Sequence, residues 1–315
     1  MSAATAAAGG VAAGPRGGEA APAHLLPLLR EVNDLKRVRS AGRPSSIADR
    51  LFAEAWSRLV AGEDAARLAM AITAGALAAT RLGDLDPPLL RQAGVGAEEV
   101  SAIRQRALAQ TAAGLDPALR TRLAAALDAP GREGPLPAFV RRLAEQPRAG
   151  ATCPDRPRIV LEPPESHAEH CLMVAVYGVM LAPVYGADPG AVFLASLAHH
   201  LHNALLPDSG FTGEMLLGPA LEPAFAEATA QALAELEPPL RSAVEEARRI
   251  LPDAETLEGR AFHAADTLDR VLQIEQYLRA ASTSMDFVLG DMALVHDGPV
   301  KRFQDGVLAG MGLLP

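Results

Sequence analysis

Apolar residues recur along most of the chain at the three- to four-residue spacing of an amphipathic helix. An early example is the series Leu25, Leu28, Leu29, Val32 and Leu35. Strand-like alternation is almost absent, and alanine, the strongest helix former, is abundant. In the first half, this pattern predicts helices over residues 24–39, 46–59, 63–82, 97–113, 117–127 and 136–145. We therefore predict an all-α fold.

The second half continues the helical pattern. It predicts helices over residues 166–182, 189–206, 219–237, 239–250, 254–281, 286–295 and 299–308, with a loop over 207–213. Pro183 is expected to stop the first of these helices, because proline lacks the backbone N–H that a helix interior needs.

Two stretches divide the chain. Residues 146–164 contain five prolines and cannot form a regular helix, so they are the best domain boundary. Residues 1–23 are rich in alanine and glycine, without the basic start and apolar block of a signal peptide, and indicate a disordered tail. We predict an N-terminal helical domain over 24–150 and a second domain over 160–315.

The composition of the chain limits the classes of partner that we expect. The net charge is −9 and the chain has no lysine- or arginine-dense block, which argues against nucleic acid as a partner. No apolar run reaches the ~18–20 residues that a membrane span requires, so no membrane association is expected. Two cysteines do not make a secreted disulfide framework, and we predict a cytoplasmic protein. For assembly, we consider a homodimer.

Five of the eight histidines lie in two short segments, 165–175 and 196–203, while a third segment, 264–269, adds acids within an apolar helical pattern. A divalent ion such as Zn²⁺, Mn²⁺, Co²⁺ or Fe²⁺ takes imidazole and carboxylate ligands that converge from several helices. We predict His170, His199, His200 and Asp266 as ligands. A single histidine on an apolar helix is more often an ordinary hydrogen-bonded residue, but four potential ligands together favour a metal site.

These residues resemble a known family. The order of His170, His199-His200 and Asp266 on consecutive helices resembles His … His-Asp … Asp, the signature of the HD-domain superfamily of metal-dependent phosphohydrolases, over roughly residues 160–281. Glu165-Ser-His-Ala-Glu-His looks most like its 5′-deoxynucleotidase-like branch and places His170, not His167, on the first ligand. The resemblance places His199 on the histidine of the His-Asp pair and Asp266 on the final aspartate. It implies an HD-like helical bundle that binds a divalent metal and hydrolyses a phosphorylated small molecule.

The chain departs from that pattern at two acids. His200 stands where the family has the aspartate of the pair, and Asn203 stands where it has an acid thought to help the attacking water. A later aspartate of the same loop is kept as Asp208. Three histidines and one aspartate can still hold a metal that activates water. Asn203 cannot act as a base, so Asp208 is the residue expected to orient the water or accept a proton.

Three functions are compatible with this set. The first is a metal-dependent hydrolase of a nucleotide-like or other small phosphate ester, with His202, Arg39 and Arg43 as candidate substrate-binding residues. The second is a catalytically decayed HD-like scaffold or signalling module, because both acids of the motif are replaced. The third is an HD-type iron oxygenase, for which only His263 is available as an additional ligand before Asp266.

A weak internal repeat relates the two halves. A shift of 120 residues aligns Ser46-Ile-Ala-Asp-Arg with Ser166-His-Ala-Glu-His, and Gly75-Ala-Leu-Ala-Ala-Thr with Ala195-Ser-Leu-Ala-His-His. Arg50, Ala79 and Thr80 then stand where His170, His199 and His200 would be. The alternatives are a degenerate first HD-like copy and chance similarity between alanine-rich helical hairpins.

Overall fold

The computed structural model describes residues 21–40, 42–278 and 284–314; the predicted tail over 1–23 lies outside them except for its last three residues. The predicted all-α fold is confirmed, and the described residues contain isolated bridges but no strand. The α-helices are α1 Leu26–Asn33, α2 Ile47–Val60, α3 Ala65–Leu82, α4 Pro87–Gln92, α5 Ala97–Thr111, α6 Pro117–Ala126, α7 Ala138–Glu145, α8 His167–Tyr185, α9 Pro189–Ala198, α10 Gly210–Leu217, α11 Leu221–Leu233, α12 Pro238–Ala247, α13 Leu257–Leu278 and α14 Lys301–Gly310.

Several predicted helix ends were wrong. α8 runs through Pro183 and ends at Gly186, whose left-handed backbone (φ 70°) suits a residue without a side chain. The helix predicted over 189–206 ends at Ala198 and is followed by a short 3₁₀ turn, and α10 begins inside the predicted loop. The helix predicted over 24–39 is α1 followed by the 3₁₀ turn Asp34–Lys36. The last residues of the one predicted over 254–281 lie outside the described part of the chain.

α8 is the central helix of the molecule. It packs most extensively against α9 and α13, and all its residues except Pro183 and Val184 are buried. By length and composition alone, it could cross a membrane, but 89% of that stretch is buried inside the protein. Its apolar character is therefore accounted for by the protein core.

The hairpins α2–α3 and α8–α9 pack against each other and share one hydrophobic core. Each starts with a serine cap: Ser46 accepts from the Asp49 amide and Ser166 from the Glu169 amide, both through the serine hydroxyl. The caps also meet, because the Ser166 hydroxyl donates to Asp49 Oδ1 at 2.7 Å. Glu169 is only 1% exposed, so this acidic helix start is buried and not solvated. The predicted domain boundaries and the duplication stay predictions.

Candidate metal centre

Three elements meet at one end of α8 and supply the predicted ligands. α8 carries His170 in its first turn, the end of α9 carries His199 and His200, and α13 carries Asp266. α9 ends at Ala198, whose carbonyl has no partner within the helix and accepts a hydrogen bond from the distant side chain of Arg248. His200 then leaves the helical conformation (φ −104°, ψ 25°). The two adjacent rings consequently lie 4.2 Å apart, centre to centre, instead of diverging around a helix.

The predicted ligand atoms converge. His170 Nε2 lies 3.1 Å from His199 Nε2 and 3.2 Å from Asp266 Oδ1, and His199 Nε2 lies 3.9 Å from the same oxygen. A ring nitrogen of His200 completes a set with His170 and His199 in which all three atoms lie within 4.8 Å of one another. Four ligands around a tetrahedral zinc, at bonds of about 2.0–2.1 Å, would be roughly 3.4 Å apart. The spacing fits a single divalent ion.

The other nitrogen of each ring is already occupied, which fixes the direction of the free one. The acceptors of Nδ1 are Asp269 Oδ2 for His170 (2.7 Å), the Ser196 carbonyl for His199 (2.6 Å) and Asn203 Oδ1 for His200 (2.8 Å). A carbonyl or carboxylate oxygen can only accept, so each Nδ1 carries the proton. Each Nε2 then presents a lone pair, as in proteins whose metal-ligating histidines are oriented by a carboxylate or carbonyl.

Electrostatics keep the rings of His199 and His200 in the form that binds metal. Burial, reinforced by His170, lowers the pKa of His199 to about 3, and burial, together with His199, holds the pKa of His200 well below its usual value. Burial alone would raise the pKa of Asp266, but the nearby His170 ring and the charge of Arg270 outweigh it and lower that pKa. Neutral imidazoles and an ionised carboxylate are the forms that bind a cation.

A second group of potential ligands, Glu165, His170 and Asp269, is fully buried behind the first. The ammonium of Lys36 lies between its acids, 2.5 Å from Glu165 Oε1 and 2.6 Å from Asp269 Oδ1. A cation therefore already occupies this position, and the first group is the candidate metal centre.

The predicted catalytic residues lie beside this centre. Asn203 accepts from His200 through Oδ1 and donates to the Leu206 carbonyl at 3.1 Å, so it holds the ring of His200. Asp208 accepts backbone N–H groups from Ala149 at 2.9 Å and Gly210 at 2.8 Å, one on each carboxylate oxygen. Both side chains are thus tied into the structure of the loop.

The predicted substrate-binding residues are scattered. His202 stacks on Phe225 with ring centres 4.0 Å apart, and its ring centre is 5.4 Å from that of His200. Arg39 is half-exposed and lies 3.8 Å from Glu169 Oε1. Arg43 pairs with Asp84 and Asp86 and lines a separate cavity beside α2 and α3. The structure does not bring these two arginines into the histidine cluster.

Three residues near the centre were missed in the sequence. Asp269 follows Asp266 by three residues, a spacing that places both on one helix face, so the sequence carried a signal. His167 is completely buried, and neither ring nitrogen has a hydrogen-bond partner; Asp208 Oδ2 lies 3.7 Å away from its Nε2. Burial lowers the pKa of His167, and the charge of Arg148, in the segment before α8, lowers it further. No local sequence pattern indicated that Arg148 lies near the centre.

His263, the additional ligand that an oxygenase would need, packs edge-on against the Phe262 ring at 4.9 Å. It is absent from both groups of potential ligands found among the described residues.

Comparisons with known proteins give one finding. A family model described as HD domain matches residues 140–302, slightly more than half of the chain. No curated protein and no solved structure matched.

Proposed function

The chain belongs to the HD-domain family, and on that premise we propose that it is a divalent-metal-dependent hydrolase of phosphate esters, with a nucleotide-like compound or another small phosphorylated molecule as substrate. The observation that supports this best is the convergence of the Nε2 atoms of His170 and His199 with Asp266 Oδ1. Each histidine of the group is also fixed through its Nδ1. Hydrogen bonds of this kind orient the ligating histidines of known metal centres.

When bound, a divalent ion would supply a Lewis acid for a phosphoryl oxygen and would lower the pKa of a bound water. His170, His199, His200 and Asp266 would hold it. Imidazole and carboxylate are suitable ligands for zinc, manganese, cobalt and iron alike.

Two arginines are suited to the substrate phosphate. Arg148 and Arg270 line one small cavity of about 60 Å³, together with Glu165 and Gln273. Nη1 of Arg148 is buried without a hydrogen-bond partner. Both guanidinium groups interact electrostatically with Asp266. A guanidinium group can donate two hydrogen bonds to two oxygens of one phosphate. Here the two arginines would also offset the negative charge of the substrate beside the metal ligands.

The residues at the two replaced positions, His200 and Asn203, are hydrogen-bonded to each other. Compared with the family pattern described above, His200 substitutes an imidazole for a carboxylate, and its Nδ1–H then needs an acceptor. Asn203 supplies that acceptor without adding charge. We therefore assign Asn203 to positioning His200, whereas proton transfer falls to Asp208, whose oxygens keep a free lone pair each after accepting the two backbone amides.

A decayed, non-catalytic module is the second candidate, because the same two replacements remove both acids of the motif. The two candidates differ in turnover but share the metal centre. Metal content and hydrolysis of phosphate esters must therefore be measured on the same preparation.

The test is elemental analysis of the purified protein, together with assays on p-nitrophenyl phosphate and a set of nucleoside 5′-monophosphates. The wild type should carry about one divalent ion per chain and hydrolyse at least one ester. His199→Ala should lose both. His24→Ala, at an exposed histidine that hydrogen-bonds the Gly114 carbonyl, should keep both. Bound metal without turnover would favour the decayed module; equally little metal in wild type and His199→Ala would overturn the ligand set.

A further inference from the structure

One lysine is buried at the back of the metal centre. Lys36, in the 3₁₀ turn after α1, is 3% exposed and is one of only two lysines in the chain. Its ammonium contacts Glu165 and Asp269 at 2.5 and 2.6 Å, and Gln273 Oε1 at 3.5 Å. Burying an ammonium is costly unless it is paired and hydrogen-bonded, so its partners and position are closely specified.

The contacts of Lys36 continue to a metal ligand. Asp269 is completely buried and uses both carboxylate oxygens: Oδ1 accepts from Lys36 and, at 3.1 Å, from Asn33, while Oδ2 accepts from His170 Nδ1 at 2.7 Å. Lys36 and Asn33 both come from the N-terminal region, outside the matched stretch 140–302. The orientation of His170 therefore depends on a segment that precedes the HD domain by about a hundred residues.

We propose that Lys36 is a positioning residue of the metal centre, which acts through Asp269 to hold Nε2 of His170 toward the shared ligand position. This inference rests on the metal-ligand part of the proposed function and not on hydrolysis. Glu165 and Asp269 offer oxygens within 4.8 Å of each other in the buried group, with Lys36 as their shared cation. Without Lys36, the two acids repel each other in an apolar interior, and Asp269 moves away from His170.

The first experiment compares Lys36→Met with Lys301→Met. Lys301 is the only other lysine, is partly exposed on α14 and pairs with Asp305 at 2.6 Å, so its replacement controls for loss of a lysine. Cobalt(II) affinity is measured by competition with a chelator, and the visible spectrum of the cobalt protein reports ligand geometry. Circular dichroism in the same buffer verifies folding.

Lys36→Met should weaken cobalt binding about 10–100-fold, the range found when an outer partner of a metal ligand is removed, and should alter the cobalt spectrum. Lys301→Met should change neither. A folded Lys36→Met protein with wild-type affinity and spectrum would overturn the proposal.

A second comparison separates positioning from general destabilisation. If Lys36 acts through Asp269, adding Lys36→Met to an Asp269→Asn protein should weaken cobalt binding by far less than it does in the wild type. Fully additive effects would show that Lys36 acts by another route and would overturn the proposal. Should Lys36→Met fail to fold, the same measurement is made on Lys36→Met/Glu165→Gln against Glu165→Gln, where one of the buried acids has lost its charge; equal affinities there would also overturn it.

The outcomes distinguish this inference from the proposed function. A wild type that binds cobalt but hydrolyses no ester would leave the role of Lys36 intact and remove only the hydrolase. A wild type that binds no divalent ion would remove both.

Discussion

The hairpins α2–α3 and α8–α9 start in the same way and differ at the fourth residue of their first helix. Serine caps both, and the fourth position is Arg50 in α2 and His170 in α8. Arg50 pairs with Asp84 and is 29% exposed, whereas His170 is completely buried between His199 and the acids of α13. Similar backbone starts thus carry a partly buried ion pair in one hairpin and a candidate metal centre in the other.

The difference extends to the space between the helices. Beside Arg50 lies a cavity of about 800 Å³, lined also by the small residues Gly75 and Ala79. At the corresponding place in the second hairpin, imidazole rings fill the space with centres 4–5 Å apart, His170 to His199 at 5.0 Å and His199 to His200 at 4.2 Å. A helical hairpin therefore supplies a frame, and the chemistry depends on a few large polar side chains that fill it.

The largest expected effect comes from exchanging the two fourth-position residues for alanine. His170→Ala removes a buried ligand and should reduce affinity for a divalent ion by more than about 100-fold, since loss of an outer partner alone costs 10–100-fold. Arg50→Ala should leave that affinity unchanged and instead lower the free energy of unfolding by roughly 1–3 kcal/mol, because Asp84 loses one of its two arginines. Isothermal titration with cobalt and urea unfolding measure the two quantities.

A weakened metal affinity in Arg50→Ala would contradict the comparison, because it would connect the first hairpin directly to the metal centre. The exposed His24→Ala variant provides the baseline for both measurements.

A smaller effect concerns the place where the two caps meet. Burial and the neighbouring Asp49 carboxylate raise the pKa of Glu169 from 4.5 to about 7. In the unfolded chain, the group ionises near 4.5, so the folded state binds the proton more tightly. Its stabilising contribution is complete below pH 4.5 and is lost as the pH rises through about 7.

Glu169→Gln keeps the capping box, because glutamine serves as well as glutamate at that position. The variant should resemble the wild type near pH 4 and be more stable at pH 8 by roughly 3 kcal/mol, as 1.36 kcal/mol per pKa unit implies. Urea unfolding at both pH values measures this. Glu245→Gln, on the exposed face of α12, is the control, and a parallel pH dependence in wild type and Glu169→Gln would refute the assignment.

The helical class of the fold and the candidate ligand residues could be chosen from local pattern, and the remainder could not. Periodicity marks a helix because its buried face recurs along a short stretch, and His170 and Asp266 stood out as polar residues within apolar helices. The end of α9 was not predicted, and the partner of its last carbonyl is Arg248, fifty residues away in the sequence. Lys36 and Arg148 were also not predicted as parts of the site, because their contacts cross the fold and leave no local pattern.

The smallest expected effect tests the packing difference with two glycines. Gly75 on α3 faces open space, since a Cβ built there meets nothing within 4 Å, whereas a Cβ on Gly178 of α8 would lie 2.5 Å from Val192 Cγ1. Gly75→Ala should raise the free energy of unfolding by about 0.5–1 kcal/mol, because alanine is the better helix former. Gly178→Ala should lower it by about 1–2 kcal/mol, because the clash with Val192 outweighs the same helical gain. Thermal and urea unfolding give both values, and two shifts of the same sign would contradict the packing difference between the hairpins.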